Sequence, residues 1–291
     1  MNKQTRVWLV LSIALSLLAL GNACSKPAND TNATGSASPS TGASEKWTGA
    51  TGTISGVISF EGTPPAPKKI DTAADAVCGQ KNPNLMTDDT VVKDGKLANV
   101  FVYVKEGSVE GGKKFADYSW DTPTTPIKLD QNGCHYVPHV MGVMVNQKIS
   151  ITNSDATQHN IHWTPKSNPE WNQSQPNGAP PIEKTFARSE ILVPVKCNQH
   201  PWMRSYIGVL KHPLYSVSGE NGSYEIKGVP PGKYTVVAWR EGGAAEKTME
   251  VTVAGGGSAK ADFSFGGAAT SSTTQSLQMM PAIEFPMLGK H

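Results

Sequence analysis

The sequence predicts an all-β protein. Apolar and polar residues alternate over residues 53–60, and turn residues such as Asn221-Gly222 and Pro230-Pro-Gly232 separate the later runs. Alternation with a period of two is typical of strands that bury one face. The chain of 291 residues also contains 28 Gly and 21 Pro, which suit tight turns, and it has few long helical patterns. This length allows one large or two ordinary β-domains.

The charge balance excludes one class of partner. The net charge is only +2, from 26 Lys and Arg against 24 Asp and Glu, and no basic run is interleaved with aromatic residues. Such runs form the electrostatic footprint of nucleic-acid binding. We therefore expect no nucleic-acid partner.

The N-terminus is predicted to be an export signal. Lys3 and Arg6 precede an apolar run over residues 7–20. That run is too short to cross a bilayer comfortably, and a basic start followed by a short apolar run is typical of a secretory signal. We predict a signal peptide over residues 1–23.

Cys24 follows this signal directly. The segment Leu20-Gly-Asn-Ala-Cys24 resembles a bacterial lipoprotein cleavage site, in which the Cys becomes the lipidated first residue. The resemblance implies a lipid anchor on the periplasmic or cell-surface side of a membrane, while ordinary cleavage after Ala23 stays open. Residues 24–52 are rich in small and polar residues, which predicts a flexible tether.

A short segment later in the chain contains three potential metal ligands. Cys197, His200 and Met203 lie within Val195-Lys-Cys-Asn-Gln-His-Pro-Trp-Met203. A thiolate, an imidazole and a thioether on one loop, with a second imidazole from elsewhere, describe the copper site that has two His, one Cys and a weak axial Met. His159 is our candidate for the second imidazole. A structural zinc site and ordinary core residues are the alternatives.

These residues carry a family resemblance. The pattern His159-Asn-Ile-His162 followed by Cys197-Asn-Gln-His-Pro-Trp-Met203 is similar to the cupredoxins, most of all to the short-loop amicyanin type, over residues 125–212. The resemblance implies a Greek-key β-sandwich that holds one type 1 copper and carries single electrons between redox proteins. It assigns the ligand role to His159 and not to His162. Residues three apart face opposite sides of an ideal strand, so at most one of the two points to copper.

The same resemblance assigns roles around the ligands. Asn160 matches the residue that ties the two ligand segments together and donates a hydrogen bond to the thiolate. His200, with Pro201 and Trp202 beside it, matches the electron port, an imidazole edge within an exposed apolar patch. A small, transient redox contact would suit such a patch.

Two cysteines remain once one is assigned to lipid and one to copper. Cys78 and Cys134 form an even pair in an oxidising compartment, where a disulfide is expected. The competing interpretation is a second metal site built from Cys134, His135 and His139.

A second β-sandwich is expected after the copper segment. The motifs Asn221-Gly-Ser-Tyr224 and Pro230-Pro-Gly-Lys-Tyr-Thr-Val236 resemble the carboxypeptidase regulatory-like, or transthyretin-like, sandwich. We predict strands over residues 223–226 and 233–239. The family's usual opening strands match residues 53–60 and 97–105, which come before the copper segment. The resemblance implies turn and core residues and no catalysis.

This order predicts a discontinuous sandwich. Residues 53–112 and 214–265 would form it, with the cupredoxin domain, residues 113–213, inserted between them. Three domains in series are the alternative, but the first would then have only two good strands, which is too few for independent stability. Residues 68–95 are interpreted as a decorated loop and residues 266–291 as a loose tail.

No general acid/base or nucleophilic site is visible. The motifs Gly-x-Ser-x-Gly, His-Glu-x-x-His and Cys-x-x-Cys-His do not occur, so we expect no enzyme. Three functions stay open: electron carrier, copper-binding or delivery protein, and structural surface lipoprotein.

Overall fold

The computed structural model describes residues 45–242 and 246–266, which lie in one compact unit. Strands account for 48% of the structure and helices for 4%, so the predicted all-β class is confirmed. The signal peptide, the lipidation site at Cys24 and all but the first residue of the predicted tail lie outside the described residues.

Within residues 45–242 and 246–266, the regular elements are strands with one α-helix, α1, and one 3-10 turn. In chain order they are β1 (Glu45–Lys46), β2 (Gly52–Glu61), α1 (Ala76–Lys81), β3 (Val92–Lys93), β4 (Lys96–Leu97), β5 (Phe101–Val109), the 3-10 turn (Phe115–Asp117), β6 (Tyr118–Ser119), β7 (Ile127–Gln131), β8 (Tyr136–Val137), β9 (Val140–Met144), β10 (Ile149–Asn153), β11 (His159–Trp163), β12 (Trp171–Gln175), β13 (Ile182–Lys184), β14 (Glu190–Lys196), β15 (Arg204–Leu210), β16 (Tyr215–Val217), β17 (Ser223–Val229), β18 (Gly232–Trp239), β19 (Lys247–Val253), β20 (Ser258–Lys260) and β21 (Phe263–Gly266). Among the described residues, no helix is long and apolar enough to cross a membrane.

Strands from the two ends of the described chain pair with each other. One sheet has the order β16-β5-β18-β19, and the other has β17-β2-β4-β3 with β20 and β21 along the remaining edge of β2. We call these two sheets the outer sandwich. β5 is thus hydrogen-bonded to β18 although the inserted strands lie between them in sequence. The two ends of the described chain thus share one pair of sheets, while the division into residues 53–112, 113–213 and 214–265 stays a prediction.

The alternating pattern of the first long strand has the expected consequence. Ile54, Ile58 and Phe60 of β2 are buried in one apolar cluster, while Ser55, Val57 and Ser59 on the opposite face are partly exposed. The predicted strand over residues 97–105 is wrong at its start. Leu97 belongs to β4, and β5 begins only at Phe101 because Asn99 takes a left-handed φ of 61°, which interrupts the extended chain.

The strands between β7 and β15 form the inner sandwich. Its sheets have the orders β13-β10-β7-β8 and β12-β11-β14-β15-β9, with parallel pairing between β7 and β10 and between β9 and β15. Its core contains Leu129, Ile161, Trp163 and Phe186, and Cys197 and Met203 belong to the same buried cluster. Two of the four predicted metal ligands, Cys197 and Met203, are therefore part of a packed apolar core.

The two sandwiches meet through aromatic rings placed on paired glycines. Gly142 of β9 and Gly208 of β15 are directly opposite each other. A Cβ atom would lie 2.2 Å from the Tyr215 ring at Gly142 and 2.3 Å from the Phe101 ring at Gly208. The two rings stack with their centroids 5.6 Å apart. Glycine is thus required at both positions because the rings of the outer sandwich occupy the space of a side chain.

Candidate metal centre

The four predicted ligands come from one strand start and one turn. His159 begins β11, and Cys197, His200 and Met203 lie in the turn between β14 and β15. Two backbone hydrogen bonds close this turn, from the Met203 N–H to the His200 carbonyl at 2.9 Å and from the Cys197 N–H to the Met203 carbonyl at 3.2 Å. The short turn therefore holds its three candidate ligands on one rigid loop.

The side chains converge in a buried space. The Nδ1 atoms of His159 and His200 are 2.9 Å apart, and the Cys197 Sγ lies 3.6 Å from the His200 Nδ1. One ligand atom from each of these three residues lies within 4.8 Å of the others. All three residues are at most 4% exposed, and Met203 is 1% exposed. The structure thus brings His159, Cys197 and His200 together, with Met203 buried in the same cluster as the cysteine.

The thiol of Cys197 is held close to its ionised form. Burial raises its pKa, but a hydrogen bond with His159 and the backbone N–H groups of Asn160, His200 and Gln199 outweigh burial and lower the pKa to about 6. Burial lowers the pKa of His159, but hydrogen bonds and Coulombic attraction from Asp155 and Cys197 raise it. The centre thus offers a thiolate at neutral pH, the form in which cysteine binds metals.

A carboxylate lies behind each of the two imidazoles. The Nε2 of His159 is 2.9 Å from Asp155 Oδ2, and the Nε2 of His200 is 3.1 Å from Asp75 Oδ2. Burial raises the pKa of Asp75, but hydrogen bonds from Cys78, Thr157 and other donors lower it to about 2, and similar contacts keep the pKa of Asp155 well below its usual value. Both groups are therefore carboxylates at neutral pH.

Asn160 joins the two ligand segments, as the resemblance implies. Its Oδ1 accepts a hydrogen bond from the Asn198 N–H at 2.7 Å and lies 3.3 Å from the Cys197 Sγ, which donates to it only while the thiol is protonated. The predicted donation to sulfur is not seen, because the Nδ2 donates to Asn172 Oδ1 at 2.8 Å. The backbone N–H of Asn160 is one of the groups that, after His159, lower the pKa of the Cys197 thiol.

His162 faces away from the centre. Its Nδ1 lies 2.9 Å from Asn198 Oδ1 and its Nε2 lies 2.5 Å from Glu170 Oε1. The side chain is partly exposed, whereas His159 is fully buried. Strand alternation along β11 thus separates the two imidazoles as expected.

The structure differs from the expected exposed imidazole edge at His200. The His200 residue is only 4% exposed, because Asp75 and the Cys78 Sγ, 3.9 Å from the His200 Nε2, cover it. Pro201 is exposed and Trp202 is partly exposed, and the Trp202 ring centroid lies 5.1 Å from that of His200. The apolar part of the predicted port thus reaches the surface, while the imidazole itself does not.

The cover over His200 is a segment that we call the cap, residues 75–81. It consists of α1 and its N-cap Asp75, whose Oδ1 accepts from the Val77 N–H at 2.8 Å. Cys78 and Cys134 form a disulfide, and Lys81 makes an ion pair of 2.6 Å with Asp155. The cap is therefore fixed to the inner sandwich by a covalent bond and a buried carboxylate.

The competing metal site at Cys134, His135 and His139 is not assembled. Cys134 is in the disulfide, and His139 lies between two carboxylates, with Glu241 Oε2 2.6 Å from its Nε2. Asp88 is 3.2 Å from the His139 Nδ1 without good hydrogen-bond geometry. Burial lowers the pKa of His139, but the two carboxylates outweigh it and raise the pKa to about 9. His139 is therefore a buried cation in an ion-pair network.

Comparison with known proteins gives partial matches. A family model for polysaccharide lyase family 4, domain II, matches residues 199–261. That match covers the end of the ligand turn, β15 of the inner sandwich and part of the outer sandwich, and the resemblance to the carboxypeptidase regulatory-like sandwich stays a prediction. No curated protein matches the sequence.

Several solved structures are similar over about a third of the chain. A copper-containing nitrite reductase from Thermus scotoductus SA-01 is 17% identical, with 35% of this chain and 25% of that chain covered and a TM-score of 0.27. An amicyanin mutant in the oxidized state is 23% identical, covering 29% and 81%, with a TM-score of 0.26. A purple cupredoxin from Nitrosopumilus maritimus is 19% identical, covering 28% and 98%, with a TM-score of 0.25. This chain thus spans a quarter of the reductase and most of each small protein.

Proposed function

We propose that the chain binds one copper ion at His159, Cys197, His200 and Met203 and carries single electrons. The observation that supports this proposal most is the convergence of two imidazole Nδ1 atoms and one thiolate in a buried space. This donor set suits copper, because soft thiolate and imidazole ligands favour it and Met adds a weak fourth contact that zinc would not need.

The residues around the ligands favour a rigid site. The two backbone hydrogen bonds of the turn, the Asn160 bridge and the packed apolar core restrain the ligands before a metal binds. Bound copper would supply a one-electron Cu(II)/Cu(I) couple. A fixed ligand geometry limits the rearrangement between the two oxidation states, and burial excludes water from the site.

The proposed route for electrons runs through Trp202. Its ring is 5.1 Å from the His200 ring and partly exposed, and Pro201 beside it is exposed. The cap covers the imidazole, so the indole is the part of this turn best placed to meet a redox protein. Trp202→Ala would slow electron exchange with a small-molecule or protein oxidant, while the copper content stays unchanged.

The cellular setting is also a proposal. The signal sequence and Cys24 support an exported protein, lipid-anchored on the periplasmic or cell-surface side of a membrane, with redox proteins as partners and no enzymatic activity. Radiolabelled palmitate incorporation in a bacterial host, lost in Cys24→Ala, would test the anchor. Incorporation that persists in the variant would reject it.

Copper binding or delivery is the second candidate. The burial of His200 beneath the cap favours it, because a covered ligand suits retention of the metal. A redox titration separates the candidates. Reversible one-electron cycling supports the electron carrier, tight Cu(I) binding without reversible cycling supports delivery, and no metal binding would leave the structural lipoprotein.

A further inference from the structure

Each candidate imidazole ligand has an ionised carboxylate on the side opposite its ligand atom. Asp155 belongs to the inner sandwich, whereas Asp75 comes from the cap, 125 residues before His200. Asp155 and His159 are fully buried, and the Asp75 side chain is 18% exposed. Neither carboxylate was expected from the sequence.

We propose that Asp75 and Asp155 are positioning residues that hold a hydrogen on the Nε2 of His200 and His159 and so direct both Nδ1 atoms to the metal. This inference rests on the proposed copper site. A carboxylate can only accept, so an Nε2 that faces one at 2.9 or 3.1 Å must carry the hydrogen. A neutral imidazole with hydrogen on Nε2 has its lone pair on Nδ1.

The contact between the two Nδ1 atoms agrees with this arrangement. At 2.9 Å two bare lone pairs would repel, so one Nδ1 also carries a hydrogen and donates to the other. In the metal-free protein that ring therefore has hydrogen on both nitrogens and is an imidazolium, and metal binding would release the Nδ1 proton. A metal ion that replaces this single hydrogen would meet two lone pairs and the neighbouring thiolate. The carboxylates thus prepare the ligand atoms before the metal arrives. Carboxylate partners of this kind typically change metal affinity by about 10- to 100-fold.

The cap gives this role to a residue outside the inner sandwich. Asp75 Oδ1 accepts from the N–H groups of Val77 and Cys78 at 2.8 and 3.0 Å, and Oδ2 accepts from the Thr157 hydroxyl at 2.8 Å. These bonds leave one direction of Oδ2 for His200. The N-cap of α1 thus supplies the carboxylate for the metal centre.

Asp75→Asn is the sharpest test. Asn remains a good N-cap, so its Oδ1 can keep both backbone bonds, but its amide nitrogen would replace Oδ2 and could only donate. His200 should then move its hydrogen from Nε2 to Nδ1. Asp130→Asn is the matched control, because Asp130 is also a largely buried carboxylate of the inner sandwich and is bonded to the hydroxyls of Thr152 and Ser154.

The measurement is long-range proton–nitrogen NMR of the histidine rings in metal-free, nitrogen-15-labelled protein. We expect hydrogen on the His200 Nε2 in wild type and in Asp130→Asn, and on Nδ1 in Asp75→Asn. A bare Nε2 in wild type, or an unchanged ring in Asp75→Asn, would overturn the proposal. Because no metal is present, this result is independent of whether the protein binds copper.

Copper-loaded protein gives a second readout. Asp75→Asn should weaken copper binding by about 10- to 100-fold in competition with a chelator and shift the reduction potential upward, since a carboxylate partner makes the imidazole a stronger donor to Cu(II). Unchanged affinity and potential would also contradict the proposal. A wild-type protein that binds no copper would reject the proposed function while leaving the NMR result to decide the role of Asp75.

Discussion

Removal of the disulfide should destabilise the metal-free protein strongly. Cys78 and Cys134 are 56 residues apart, and both sulfur atoms are buried. In the chain-entropy model, opening a loop of that length costs about 4 kcal/mol of unfolding free energy at 25 °C. Residual structure in the unfolded chain would reduce this loss. The bond also fixes the cap over His200, so its removal should expose that imidazole to solvent.

The assay is urea unfolding of protein freed of metal with a chelator, since bound metal would add stability of its own. Wild type reduced with a dithiol keeps both sulfur atoms and isolates the loop contribution, whereas the double variant Cys78→Ala, Cys134→Ala adds a small cavity. We expect the free energy of unfolding of the reduced wild type and of the double variant to be several kcal/mol lower than that of the oxidised wild type. A loss below about 1 kcal/mol in the reduced protein would refute the reasoning. Two alkylatable thiols at these positions in the unreduced protein would refute the disulfide itself.

Three further predictions concern single side chains. His159→Ala should abolish copper retention while His162→Ala preserves it, and the reverse pattern in metal analysis would reassign the ligand. Although burial lowers the pKa of His139, its two carboxylate neighbours outweigh burial and raise that pKa from 6.5 to about 9. The protonated imidazole should therefore contribute roughly 3 kcal/mol to the free energy of unfolding below pH 6.5, and this contribution should be lost as the pH rises through 9. Urea unfolding should show that decline, and the decline should be weaker in His139→Gln; an equal decline in both proteins would exclude His139 as its source. Gly208→Ala would force a Cβ to 2.3 Å from a buried phenylalanine ring and should lower the free energy of unfolding by about 1–3 kcal/mol. Gly219→Ala is the control and should leave the stability nearly unchanged. Equal effects of the two substitutions would show that the ring does not need a glycine at position 208.

The parts of the fold and site that follow local patterns could be predicted from the sequence. The alternation in β2 and the turns at Asn221 and Pro230 predict the all-β class, which is confirmed. The order of residues in the ligand turn predicts which side chains meet, because a short turn between adjacent strands leaves little conformational choice. The Cys78–Cys134 disulfide was predicted because these two cysteines remain after Cys24 is assigned to lipid and Cys197 to copper.

The cap could not be predicted in the same way. Its single helix, α1, has six residues and no apolar periodicity, and its position depends on Cys78 and on the Asp75 contact with a residue 125 positions away. The burial of His200 follows from its contacts with Asp75 and Cys78 of this cap. Asp155, four residues before His159, left a weak signal, since a carboxylate near a candidate ligand could have been weighed as its hydrogen-bond partner.

The visible spectrum of copper-loaded protein tests the central claim most directly. Wild type with one equivalent of Cu(II) should show an intense thiolate-to-copper absorption, and Cys197→Ser should lose it while keeping the same far-ultraviolet circular dichroism, because the serine hydroxyl cannot supply that charge transfer. A colourless wild-type protein, or a colour that persists in Cys197→Ser, would contradict a copper centre built on this thiolate.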